Sequence, residues 1–175
     1  QNILTPAEVE QIMNFNDFDK RLKSYQLNAL NHWKVCFLCN GANLKDVVQF
    51  KWSDISDDVL TFVRQKTENK TKVVRRLSIP LIEPLKELIE KIGNNNSEYI
   101  FGGFITPPHD STIQNKVSKM CKGYNKHLKV LGEKMDLRFS PIISTSRHAY
   151  GNYLAKNGVP LERIAEMMGH KDKHR

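Results

Sequence analysis

Two residues near the end of the chain have the types and the placement to hold a phosphate. Arg147 lies in the run Ser144-Thr-Ser-Arg147-His148-Ala-Tyr-Gly-Asn-Tyr-Leu-Ala-Lys-Asn-Gly-Val-Pro160, and His170 closes the run Leu161-Glu-Arg-Ile-Ala-Glu-Met-Met-Gly169-His170. The planar fork of an arginine grips a phosphate through two N–H groups at once. A histidine ring adds a donor whose charge changes near neutral pH. Donors fixed around a phosphodiester stabilise the charge that gathers on its non-bridging oxygens as a strand is cut. The pair therefore points to phosphate chemistry on a nucleic acid.

The elements that must position these residues are mostly helical. Thr5-Pro6-Ala7-Glu8 combines an N-cap, a proline suited to the first helical turn and a capping-box glutamate, and predicts a short helix to about Asn14. From about Phe18 to Cys39, Leu22, Tyr25, Leu27, Leu30, Trp33, Phe37 and Leu38 recur at mostly helical intervals, which predicts a long buried helix ended by Gly41. Asn43 caps a short helix to Phe50. Val59–Val63 and Lys72–Ile79 alternate and are β-branched, so they predict a hairpin around the polar turn Thr67–Thr71. A helix from Pro80 ends at Gly93, and a lysine-rich one runs from Ser111 to about Leu131. After a connector, helices over Ser144–Lys156 and from Pro160 to Gly169 flank a turn at Asn157-Gly158. The fold class is mainly α with a small antiparallel β-sheet.

At 175 residues the chain is sized for one domain. Its 39% hydrophobic content argues for a folded core, and no apolar run reaches membrane-spanning length. The N-terminus carries no charged-then-apolar signal pattern, so a soluble domain is expected. A net charge of +8 raises the expectation of a polyanionic partner, because each lysine or arginine near a phosphate releases condensed counterions. Cys36 and Cys39 form a lone C-x-x-C inside an apolar run and lack the second ligand pair that zinc needs. Buried, reduced thiols are the expectation, with no metal site.

The landmarks together resemble the catalytic domain of tyrosine recombinases, the phage-integrase family, most closely the integrases of mobile elements and conjugative transposons. They are Leu4-Thr-Pro-Ala-Glu8, the box Gly41-Ala-Asn43-Leu-Lys-Asp46 leading to Lys51-Trp52-Ser-Asp54-Ile55, a hairpin bearing Arg64-Gln-Lys66-Thr67, Ser144-x-x-Arg147-His148, and Met168-Gly169-His170. The resemblance covers nearly the whole chain and implies the tyrosine recombinase fold. It also implies strand cleavage by a tyrosine hydroxyl through a 3′-phosphotyrosine, without metal or other cofactor. Arg147 matches the family's second arginine, Lys66 the hairpin lysine that delivers a proton to the leaving 5′ oxygen, and His170 the last basic position. Lys70 and Lys72 lie close enough to Lys66 to be the donor instead, and a helix-ending histidine is also favourable to the helix dipole alone. His148 points about 100° away from Arg147 on a helix and reads as structural.

The sequence departs from the pattern at three places. Asn43 stands where the family has its first arginine, and Arg64, two residues from Lys66 on a strand face, is a candidate replacement. Ser144 stands where H-x-x-R has its histidine; it either bonds a phosphate oxygen or only caps the helix. The nucleophilic tyrosine follows the His170 position by more residues than remain before Arg175, and none of Tyr25, Tyr99, Tyr124, Tyr150 or Tyr153 is in the matching place. Tyr150 and Tyr153 have the spacing of core residues. The chain is thus expected to lack both an N-terminal DNA-clamping domain and the C-terminal tyrosine segment.

The implied partners are double-stranded DNA and further copies of the chain, exchanging a C-terminal segment on DNA in the bacterial cytoplasm. No membrane and no small-molecule substrate is implied. Two alternatives stand beside this reading: a non-catalytic DNA-binding or regulatory relative of the same fold, and an unrelated basic helix-turn-helix protein.

Overall fold

The structure, a computed structural model, describes residues 2–15, 22–64, 76–102 and 110–170. The expected hairpin turn with Lys66, Lys70 and Lys72 lies outside them, as do the residues after His170. Among the described residues seven α-helices and three strands run in chain order: α1 (Pro6–Met13), α2 (Ser24–Leu38), α3 (Leu44–Val47), a 3₁₀ turn (Trp52–Asp54), β1 (Ile55–Ser56), β2 (Val59–Val63), β3 (Arg76–Pro80), α4 (Glu83–Ile92), α5 (Asp110–Lys134), α6 (Thr145–Lys156) and α7 (Leu161–Met167). This is the mainly helical architecture with a small antiparallel sheet that the sequence predicts.

α2 is the central helix. Ala29, Trp33 and Val35 have no exposed surface, and Trp33 and Phe37 stack with ring centroids 5.7 Å apart. The helix is buried almost all round, as one enclosed by other helices must be. α5 packs along it through Ile113, Val117, Leu128 and Leu131, spaced to share one face, and Tyr25 of α2 meets His127 of α5 at 4.6 Å. Cys36 and Cys39 are free buried thiols; burial pushes Cys39 up to about 12, so it stays protonated. Tyr150 and Tyr153 place their rings edge-on against Phe37, in the core as their spacing predicts.

The sheet has the order β1-β2-β3, all antiparallel. β1 is an addition to the expected hairpin. It is two residues long and pairs Ile55 with Leu60 across a turn in which Asp57 and Asp58 both have positive φ, 51° and 59°. A two-residue turn of that hand matches the twist of the strands it joins. α4 begins at Glu83, with Pro84 in its first turn, three residues later than Pro80 suggested. Pro80 instead ends β3, paired with Val59.

α1 carries the expected capping box: Glu8 N–H donates to Thr5 Oγ1 (3.2 Å) and Thr5 N–H to Glu8 Oε2 (2.7 Å). Arg138 grips the same carboxylate with Nε (2.7 Å) and Nη2 (2.9 Å) and also donates to the Ile3 carbonyl, tying the start of the chain to the α5–α6 connector. The Arg138 hydrogen bond lowers Glu8 to about 2. A depressed carboxylate contributes stability above its unfolded value and loses it as pH falls through the folded one. Wild type should therefore exceed Arg138→Gln in urea midpoint at pH 6. That gap should shrink below pH 4.5 and close near pH 2; a gap unchanged from pH 6 to pH 2 would contradict the assignment.

Candidate phosphate-binding site

Arg147 is placed by the first turn of α6. Its predecessor Thr145, rather than Ser144, organises that turn: Thr145 Oγ1 accepts from Ile142 N–H (3.2 Å), donates to the Ile142 carbonyl (2.6 Å) and accepts from Trp33 Nε1 (3.2 Å). Ser144 occupies the cap position with helical φ and ψ of −71° and −19° and forms no side-chain cap bond. The capping alternative for Ser144 is thus not realised, because a residue already in the helical region aims its hydroxyl away from the first N–H groups. Ser144 is left exposed.

His170 is placed by the end of α7. Gly169 takes φ +68° and donates from its N–H to the Glu166 carbonyl (3.1 Å), while His170 N–H reaches back to Ala165 (2.9 Å). These two bonds form the Schellman motif, which turns the chain and fixes where the next side chain goes. A Cβ on Gly169 would meet Leu77 Cδ1 of β3 at 2.7 Å, so the close approach of hairpin and turn also requires glycine.

Arg147 joins three segments far apart in sequence. Its Nη1 donates to the Gly41 carbonyl (2.7 Å), and its Nη2 donates to the Met168 carbonyl (2.8 Å) and faces His170 Nε2 at 3.2 Å. A guanidinium has no acceptor to offer, so in this contact the Arg147 N–H is the donor and His170 Nε2 faces it as the acceptor. Gly41, at φ +68°, approaches so closely that a Cβ would lie 3.2 Å from Arg147 Cα.

Arg64 follows β2 directly and is 8% exposed. Its Nη1 donates to the Gly169 carbonyl (3.0 Å), one residue before His170. Arg64 and Arg147 line one small cleft with Asp46, itself only 3% exposed. Burial first, then the charge of Arg64, lowers Arg147 to about 10, while Asp46 works the other way. Arg147 stays charged at neutral pH. The cleft holds about 10 Å³, near the minimum for a single water, so a phosphate has to approach from the outer edge, where His170 is exposed.

Arg147, His170 and Arg64 therefore converge. Asn43 does not line this cleft; it is half-buried at the start of α3 and forms no side-chain cap bond, although its backbone is in the N-cap conformation. The side-chain capping expected of Asn43 is thus not made, even though its backbone would allow it. Asp46 is the cleft member that residue typing passed over, having served only as a landmark of the Asn43 box. Among the tyrosines, Tyr150 donates to Asn40 Oδ1 (3.0 Å) and the Tyr124 hydroxyl accepts from Asn28 (3.2 Å). Among the described residues no group of three or more His, Cys, Asp and Glu side chains is arranged to hold a metal ion. None of their helices is long and apolar enough to cross a membrane.

The Phage integrase family matches residues 2–175. A Tyrosine recombinase of Pseudothermotoga lettingae is 24% identical over 174 residues, covering 98% of this chain and 53% of that protein. The chain spans about half the length of this curated relative. Three solved structures share the fold. The Tn1549 transposon integrase in complex with transposon right end DNA has a TM-score of 0.63 at 15% identity, over 97% of this chain and 58% of its own. XerH site-specific recombinase bound to difH substrate has 0.62 at 15%, over 98% and 48%. A lambda integrase dimer bound to a COC′ core site has 0.57 at 18%, over 98% and 56%. The order of the elements, the joining of Arg147 to His170 and a match running from residue 2 to residue 175 lead to one conclusion: the chain belongs to the phage integrase family.

Proposed function

We propose that residues 1–175 form the catalytic domain of a site-specific DNA recombinase, cutting and rejoining duplex DNA through a 3′-phosphotyrosine. The observation that carries this reading is the 3.2 Å contact between Arg147 and His170 at an exposed edge, backed by the buried charge of Arg64. In the proposed step a tyrosine hydroxyl loses its proton to water as its oxygen attacks the phosphorus, and the bond to the 5′ oxygen breaks. Arg147 and His170 hold the non-bridging oxygens, and Lys66 gives its proton to the leaving 5′ oxygen. Arg64 acts from behind: it anchors the Gly169 carbonyl and adds positive charge in place of the arginine that Asn43 lacks. Asn43 and Ser144 contribute neutral contacts at most. None of the five tyrosines of this chain lines the Arg147 cleft.

Double-stranded DNA is the proposed partner, in the bacterial cytoplasm on the nucleoid. Lys119, Lys122, Lys126 and Lys129 are exposed along one stripe of α5, and Asn125 beside them accepts from Ile143 N–H (2.8 Å) in the turn before Arg147. Self-association through an exchanged segment is supported by an apolar groove of about 450 Å³, lined by Val9, Met13, Ile82, Tyr153 and Leu154 among others. Exchange of Asn43 and Ser144 for charged residues of the pattern favours the second reading, a DNA-binding relative that does not cleave. The unrelated helix-turn-helix alternative falls with the family match.

One set of assays on suicide-substrate duplexes tests these points. The 175-residue chain should bind DNA without covalent attachment, and adding a peptide that carries the tyrosine should yield a covalent adduct in the cleaving relative only. Replacing the four lysines by glutamine should flatten the dependence of log K on log salt by about two or more, each phosphate contact being worth about 0.9. An unchanged slope would remove α5 from the interface. Sedimentation of the complexes should show Ile82→Asp as single protomers on DNA.

A further inference from the structure

Of the polar side chains that α2 buries away from the Arg147 site, two face one cleft. Asn31 is 5% exposed and Lys34 is 9% exposed, and both line a cleft of about 190 Å³ between α1, α2 and α4. The only hydrogen bond of Lys34 among the described residues is a long one, 3.4 Å from Nζ to the Phe15 carbonyl, and no carboxylate of those residues is within ion-pair reach. Lys91 of α4 faces the same cleft and brings a second ammonium. Met13 and Leu88 form apolar wall, and exposed Glu87 is the one carboxylate of the lining.

A buried ammonium without a counter-charge is costly, and an anion that enters the cleft offsets that cost. We propose that this cleft binds a small organic anion, a phosphorylated or carboxylated molecule whose oxyanion is held by Lys34, Lys91 and the Asn31 amide and whose apolar body lies on Met13 and Leu88. The volume suits about ten heavy atoms and excludes a nucleic-acid backbone. The site is separate from the phosphate site, since the two clefts share no lining residue. Its existence does not depend on whether the chain cleaves DNA.

Burial, and then the charge of Lys91, lowers Lys34 to about 8. Among the described residues the charged groups facing it are Lys91 and Glu87 on α4; α1 offers Met13, and the chain just after α1 offers the Phe15 carbonyl. Anion binding favours the charged ammonium, so affinity should decline as pH rises through 8. Between pH 7 and pH 9 the charged fraction of Lys34 drops about tenfold.

The probe is phenyl phosphate, titrated into the 175-residue chain while the Asn31 side-chain amide and the Lys34 ammonium are followed by NMR. Saturable shifts at both groups are expected, with about tenfold weaker binding at pH 9 than at pH 7. Lys34→Met should keep the fold, because it retains the stem and removes a buried charge, and should weaken binding tenfold or more. Phenol, which lacks the anion, should leave both signals unmoved. Benzoate shifting them as phenyl phosphate does would assign the site to carboxylates as well. Shifts confined to Arg147 and His170, equal binding by Lys34→Met, or equal binding of phenol would each overturn the proposal.

Discussion

Arg147→Lys should lose DNA cleavage by about 10²–10³-fold in the tyrosine-complemented reaction and lose about 2 kcal/mol of stability besides. The two losses have different sources. In the fold, one guanidinium spans the Gly41 and Met168 carbonyls with separate nitrogens, 2.7 and 2.8 Å away. An ammonium is a single nitrogen without that fork, so at least one of these half-buried acceptors is left to water or to nothing. In the reaction, the planar donor pair facing a phosphate is lost as well. Arg147→Met separates the two further, since it abolishes both functions and should cost more stability than lysine does. Denaturant midpoints set against single-turnover rates make the comparison. A lysine variant as stable and as fast as wild type would dismiss Arg147 from both roles.

Gly169→Ala is the second large effect, and it should destabilise the fold by about 2 kcal/mol. Holding alanine at φ +68° costs about 1 kcal/mol, and Leu77 has to move off the new methyl, from which it would lie 2.7 Å away. The steric part alone should be recovered in a Leu77→Ala background. A double-mutant cycle should thus give a coupling of about 0.5–1 kcal/mol, and the backbone part should persist. Because the Schellman turn aims His170, the same variant should lower DNA affinity more than its stability loss explains. Additive single effects would mean that hairpin and turn do not press on each other.

Much of this site is legible in the residue string, and the reasons differ from part to part. Arg147 and His170 announce themselves because each sits at a helix boundary with its own local signature, the turn after Ile142 and the Met-Gly before His170. The hairpin strands are legible from alternation. β1 is not, since two residues are too short to show a period and its Asp57-Asp58 turn carries no glycine. Residue type leaves Ser144 open between a cap and a phosphate contact; its backbone already lies in the helical region, so no cap bond forms, and the hydroxyl that ties this turn to Trp33 of α2 is that of the adjacent Thr145. The depth of Arg64 is equally hidden: alternation sets its face on the strand, but α7 and its turn, more than a hundred residues later, decide that the face is covered. The burial of Lys34 and Asn31 is hidden as well, since it depends on how the distant α1 and α4 pack beside them.

The bonds of Arg147 to two distant segments bear on how a chain of this kind can drift. A library of variants selected only for folding should still reject most replacements at 147, since two backbone carbonyls from distant segments depend on it. The same library should accept wide variation at the exposed Ser144, which no architecture holds in place. The persistence of this arginine in a degenerate descendant would then be a fossil of its masonry, and the loss of chemistry would first be written in the side chains that carry no weight.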